Sequence, residues 1–277
     1  MKYAVTGTTN YVLLNGISVP SNIKLSDNVE LQAADTSHLD LKTALMTCSH
    51  PDDIAVVAAY IPRITSQLCI TAETPKALAI LSWNSSWDVL LLSAIFHTEI
   101  GFNLQSDVSS EEISATSTLR ATNLHLHGIN DHAPYVIVNE DIGWISRHFD
   151  EARQLLEHDN FQTAVHCLAS YRWHSMPRVK MAVIWAGIEG LFQASVEIRF
   201  SISIYIARFL YPDNAEERQK TFNQVKDLYN IRSASVHGAK TKKNSAYAVE
   251  ESAALLRALL LRSVELRSLP IKSELVP

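Results

Sequence analysis

The spacing of apolar residues changes near residue 140, where short irregular runs give way to long stretches with a helical beat. Up to about Asn139 the chain is rich in Ser, Thr and Asn, and β-like runs alternate with helical ones, the texture of an α+β region. From Thr118 to His127 the pattern predicts a half-buried strand, with Leu124 and Leu126 on one side and His125 and His127 on the other. Tyr135–Val138 predicts a second strand. Between them, Gly128-Ile129-Asn130-Asp131-His132 supplies the turn chemistry of a hairpin or a longer loop. The dense run from Trp87 to Phe96 predicts a buried helix, set off by the breaker-like Asn84-Ser85-Ser86.

Beyond residue 140, Gly and Pro nearly vanish from segment interiors, and the periodicity predicts a helical bundle over residues 140–270 behind the α+β region of residues 1–139. Asp141–His158 carries Ile142, Ile145, Phe149, Ala152 and Leu156 at helical spacing, and Phe161–Trp173 follows a break at Asp159-Asn160. Pro177–Phe192 presents a broad apolar face through Met181, Ile184, Trp185, Ile188, Leu191 and Phe192. Asp213-Asn214-Ala215-Glu216 has the form of a capping box and opens a helix with Phe222, Val225, Leu228 and Tyr229. A last helix, about Ala246–Arg267, packs Leu255, Leu256, Leu259, Leu260 and Val264.

Charge narrows the function classes. With 24 Lys+Arg against 29 Asp+Glu, the net charge of −5 excludes a polybasic binder that holds nucleic acid by bulk electrostatics, so any such contact is local. Cys48, Cys69 and Cys167 are isolated and odd in number, which fits a reducing, cytoplasmic setting. The N-terminal residues lack the apolar core of a signal peptide, and no uncharged apolar stretch reaches the roughly 18 residues of a spanning helix, so no membrane role is expected.

The chemistry concentrates in Arg232-Ser233-Ala234-Ser235-Val236-His237-Gly238. Arginine offers a planar fork suited to phosphate oxygens, and histidine exchanges a proton near neutral pH. The pair suits cleavage of an RNA backbone, where a base deprotonates the 2'-hydroxyl and a cation offsets charge building on phosphorus. On a straight α-helix, five residues leave the two side chains roughly 140° apart, so shared action requires the helix to loosen across Ser233–Ser235.

The segment Leu228–Gly238 resembles the R-x4-6-H signature of HEPN-domain ribonucleases, in particular the Apea-like branch in which glycine follows the histidine. Ile184–Phe192 is similar to that branch's W-x-x-I/L-E-x-L-F helix, and the segment from Glu197 to Leu210 is similar to the helix that follows. The resemblance covers roughly residues 140 to 268. It implies a metal-independent endoribonuclease, without a cofactor, that acts on RNA as a homodimer whose two motifs face a shared cleft. An antitoxin or defence-system protein would be a further partner. In that reading Arg232 polarises the phosphate, His237 is the general base or acid, and Glu189 holds the branch's acidic position. Ser233 stands where Asn, Asp or His is commoner. Glu189, on the rim of an apolar face, needs a partner, for which Arg232 is the candidate.

Blander readings stand beside each of these. Arg232 and His237 would also suit a helix C-terminus, where cations favour the negative end of the dipole. Glu189 could instead pair structurally with Arg199 or Arg208. Lys240, Lys242 and Lys243 form the compact basic run, either a solvated loop or a phosphate-steering patch. His125, His127 and His132 could approach one metal ion, but an exposed strand face is the simpler expectation, and no metal is assigned. The five tryptophans read as core, and GxGxxG, GxSxG and HExxH are absent. The rival to an endoribonuclease is a non-catalytic helical module that binds RNA, a nucleotide or a protein partner. A third reading makes the N-terminal part the sensor and the helices a dimerisation scaffold.

Overall fold

A computed structural model describes residues 5–48, 50–123, 133–193, 198–236 and 245–275. The strands are β1 (Thr9–Asn15), β2 (Ile17–Ser18), β3 (Ile23–Ser26), β4 (Val29–Ala33), β5 (Ser66–Thr71), β6 (Gly101–Ser106), β7 (Leu119–Ala121) and β8 (Tyr135–Val136). The helices are α1 (Leu41–Met46), α2 (Asp53–Tyr60), α3 (Pro75–Ile95), α4 (Asn139–Leu155), α5 (Asp159–Ser170), α6 (Pro177–Phe192), α7 (Ile198–Leu210), α8 (Ala215–Val236), α9 (Ser245–Leu266) and α10 (Lys272–Leu275). An antiparallel sheet region thus precedes a run of helices. Contacts divide the chain into two units, Met1–Leu92 with Thr98–Asp150, and Ser93–His97 with Glu151–Pro277. The textural change at residue 140 marks the start of α4, whereas the units change within that helix, at Asp150/Glu151.

In the first unit the sheet runs β3-β4-β5-β1-β6-β7, with every neighbour antiparallel. Leu13, paired with Leu104 across β1 and β6, belongs to a buried cluster with Val56, Val57 and Tyr60 of α2 and with Leu119 of β7. The alternate residues of β1 face the other side, where Asn10 Nδ2 donates to Ser82 Oγ of α3 at 3.0 Å inside the core. Both faces are therefore covered. Gly16, at φ 86°, turns the chain out of β1 into β2, a backbone state that glycine takes without a Cβ penalty.

Three expectations are revised here. The residues 118–127 strand is β7, Leu119–Ala121, and its continuation from Leu124 to His132 lies outside the described residues, so the three histidines there do too. β7 and β8 do not pair as a hairpin. β7 joins the sheet beside β6, and β8 runs parallel to β2, with Tyr135 N donating to Gly16 O at 3.0 Å. Asn84-Ser85-Ser86 does not break a helix but lies inside α3. Ser85 Oγ donates to Ser82 O at 2.8 Å and Ser86 Oγ to Trp83 O at 2.7 Å, so the hydroxyls are satisfied against the helix's own carbonyls. By length and composition α3 could cross a membrane, but two-thirds of its most apolar window is buried, as in a core helix.

In the second unit α6 is central and packs against α5, α8 and α9, while α7 packs on α8. Gly187 allows the close approach: a Cβ there would come within 3.0 Å of Cys167 Cβ and 3.2 Å of the Ala164 backbone on α5. Asp159 and Asn160 begin α5 rather than interrupt the chain, and the break falls just before, at residues 156–158. The α8 cap is one residue later than the spacing predicts. Asn214 Oδ1 accepts from Glu217 N at 3.1 Å, and Asp213 stays outside the helix. Of the tryptophans, Trp185 is fully buried, Trp87, Trp144 and Trp173 are half-buried, and Trp83 is exposed, against the expectation of core for all five.

Candidate functional site

Trp185 and Glu189 are four residues apart on α6, and Tyr229 and Arg232 three apart on α8, so each pair shares one face of its helix. The two faces meet in register. The Trp185 and Tyr229 rings pack edge to face with centroids 5.2 Å apart, and the Arg232 guanidinium lies 5.5 Å from the centre of the Tyr229 ring. Trp185 Nε1 donates to Ser252 Oγ of α9 at 3.1 Å, which locks the indole beneath the polar pair.

Arg232 is the partner of Glu189. Its Nη2 donates to Oε2 at 3.3 Å and lies 3.1 Å from Oε1, the second contact lacking hydrogen-bond geometry. The alternatives are engaged elsewhere: Arg199 Nη1 donates to Asn230 Oδ1 at 3.2 Å, and Arg208 Nη1 to Leu275 O at 3.5 Å. Both members of the pair are largely covered, at 22% exposure for Arg232 and 25% for Glu189, which leaves one side open to a ligand. Among the described residues, buried Glu189 Oε1 and Arg232 Nε have no hydrogen-bond partner. A buried donor without an acceptor costs about 1–3 kcal/mol.

Burial raises the Glu189 carboxyl above its ordinary range, and Arg232 opposes that shift without cancelling it. The folded chain therefore binds this proton more tightly than the unfolded chain. Stability from Glu189 is full below its ordinary pKa of 4.5 and declines as pH rises through the higher folded value. Glu189→Gln, which cannot ionise, is expected to flatten the fall in unfolding free energy from pH 4.5 upward, measured by urea titration at stepped pH. Parallel curves for the parent and variant would refute this.

The remaining predicted site residues separate. Ser233 is half-buried and sits about 100° around α8 from Arg232, away from the Glu189 face. The expected loosening across Ser233–Ser235 does not occur, because α8 continues through Val236. Ser and Ala are compatible with an unbroken helix there. His237, Lys240, Lys242 and Lys243 lie outside the described residues. Among the described residues no cluster of three or more His, Cys, Asp or Glu forms a metal site.

A polar cluster that periodicity does not reveal surrounds His97, whose backbone is left-handed at φ 52°. Arg172 Nη2 donates to His97 O at 3.0 Å and Arg257 Nε to Ile95 O, so two cations close the last turn of α3. His97 Nε2 lies 3.0 Å from Tyr171 Oη, which donates to Glu250 Oε2 at 3.1 Å. Burial, with the Arg172 charge, lowers the imidazole pKa to about 4 and keeps it neutral near pH 7. The only signal in sequence was a histidine directly after an apolar helix. Comparison of the chain with protein-family models, with curated proteins and with solved structures gives no match.

Proposed function

We propose that the helical unit is a metal-independent, HEPN-like endoribonuclease. Arg232 holds and polarises the scissile phosphate, and His237 takes the proton from the 2'-hydroxyl that attacks it. The phosphorus–O5' bond then breaks and the leaving oxygen takes up a proton from water, leaving a 2',3'-cyclic phosphate and a 5'-hydroxyl. Glu189 orients the Arg232 fork, and two copies of the chain face their motifs across one cleft, with Lys240, Lys242 and Lys243 drawing the RNA in. The setting is growth arrest in antiviral defence or a toxin–antitoxin pair, with RNA and a controlling protein as partners.

The observation that supports this reading is the Glu189–Arg232 ion pair, set on facing helices over a Trp185–Tyr229 stack. The four residues come from two of the three segments whose sequences carry the resemblance. A second reading, a non-catalytic module that binds RNA, a nucleotide or a protein, draws support from the unbroken α8. With the helix intact through Val236, Arg232 is committed to Glu189 rather than turned toward the end of the helix.

The test is incubation of the purified chain with end-labelled single-stranded RNA in excess chelator. Fragments ending in 2',3'-cyclic phosphate are expected. RNA that is bound and left intact selects the second reading, and RNA neither bound nor cut overturns both uses of the site.

A further inference from the structure

A cleft of about 610 Å³ opens in the helical unit, where the last turns of α7 and α9 meet the start of α8 and the segment that ends in α10. Arg208, Arg218 and Arg262 line it against a single carboxylate, Glu274, with Phe209 and Leu266 on its apolar wall. Three cations thus converge against one anion, in a chain whose net charge is −5. None of these residues belongs to the Glu189–Arg232 site.

We propose that this cleft binds a phosphate-bearing small molecule of nucleotide size, with its phosphates on the arginines and its base on the apolar wall. Pockets for such ligands span roughly 300–1,000 Å³ and combine apolar walls with a few convergent polar groups. Guanidinium forks match phosphate oxygens in pairs. Arg218 is held by carbonyl acceptors, with Nη1 donating to Tyr211 O at 3.3 Å and to Pro212 O. These contacts orient the group without cancelling its charge, and among the described residues no carboxylate pairs with it. Among the described residues, Arg262 has a loose ion pair, 3.6 Å from Glu265 Oε2, and its buried Nε has no hydrogen-bond partner.

The wall defines the other half of the ligand. Leu266 is 46% exposed and Ile271 48% exposed, two large apolar side chains left uncovered at one cationic cleft. A bare inorganic anion would leave them in water, whereas a planar base would cover them.

Titration calorimetry of the full chain with ATP, pyrophosphate and adenosine tests the assignment. ATP is expected to bind at one site, pyrophosphate at least tenfold more weakly, and adenosine more weakly still. Arg218→Gln and Arg262→Gln should each weaken ATP binding tenfold or more. Glu274→Gln, at an exposed position, should strengthen it a few-fold without loss of thermal stability. Absence of ATP binding at millimolar concentration, adenosine binding as tight as ATP, or an unchanged affinity in Arg218→Gln would overturn the proposal. So would single-stranded RNA that displaces ATP and loses its own binding in Arg218→Gln, which would make the cleft an RNA track. The readout is independent of RNA cleavage, so this site and the nuclease reading can fail separately.

Discussion

His237→Ala and Arg232→Ala are each expected to slow RNA cleavage by at least a hundredfold. A positioned acid or base contributes typically 10²–10⁴ in rate, and loss of one donor to a developing oxyanion costs about 10²–10³. The Arg232 variant needs a control, because it also strands Glu189 as a carboxylate in a largely covered position. Its carboxyl, already raised by burial, would lose the one opposing influence and rise further. Arg232→Ala should therefore melt at a lower temperature, and the double variant Arg232→Ala, Glu189→Ala should recover part of that stability while remaining inactive. Arg232→Lys keeps a cation but not the planar fork, so it should retain stability better than activity. Labelled-RNA cleavage rates beside thermal melts measure both effects. Parent-like cleavage by His237→Ala and Arg232→Ala would end the nuclease assignment.

Trp185→Ala is expected to lower the unfolding free energy by about 3–5 kcal/mol, in the range for truncating a buried aromatic side chain. Trp185 has 0% exposure, stacks edge to face on Tyr229, and donates its indole proton to Ser252. The variant opens a void among α6, α8 and α9 and, among the described residues, leaves the Ser252 hydroxyl with Met181 Sδ at 3.4 Å. Because Tyr229 also supports the Arg232 guanidinium, cleavage should fall together with stability. Urea unfolding followed by far-ultraviolet circular dichroism measures the change, with the midpoint moving at constant slope. A loss below about 1 kcal/mol would mean that the indole is not part of a close-packed core.

The helices were legible in sequence because each buries one face, which imposes the 3.6-residue beat on residues such as Leu255, Leu256, Leu259 and Leu260. The Glu189–Arg232 pair was legible for a related reason, since a carboxylate on the rim of an apolar face calls for a cation on a neighbouring helix. Most of the sheet was not legible. β6 is buried at all six positions, Gly101–Ser106, including Asn103 and Gln105, so neither alternation nor hydrophobicity marks it. Asn84-Ser85-Ser86 misled because serines that look like breakers can return their hydroxyls to the helix backbone. The arginine cleft had no local signature either: its three guanidiniums come from α7, α8 and α9, and only the fold brings them together.

The place of β1 in the sheet sets an order of events during synthesis. β1 ends at Asn15, yet its two neighbours are Ser66–Thr71 and Gly101–Ser106, so the strand leaves the ribosome long before either partner exists. The β3–β4 hairpin can close at once from adjacent residues, but β1 must wait with both edges unpaired through the making of α1 and α2, and with one edge unpaired through the making of α3. Such a delay slows folding and exposes Val12, Leu13 and Leu14 to neighbouring nascent chains. A strand that ends up inside the finished sheet is the nascent chain's longest-standing invitation to aggregate.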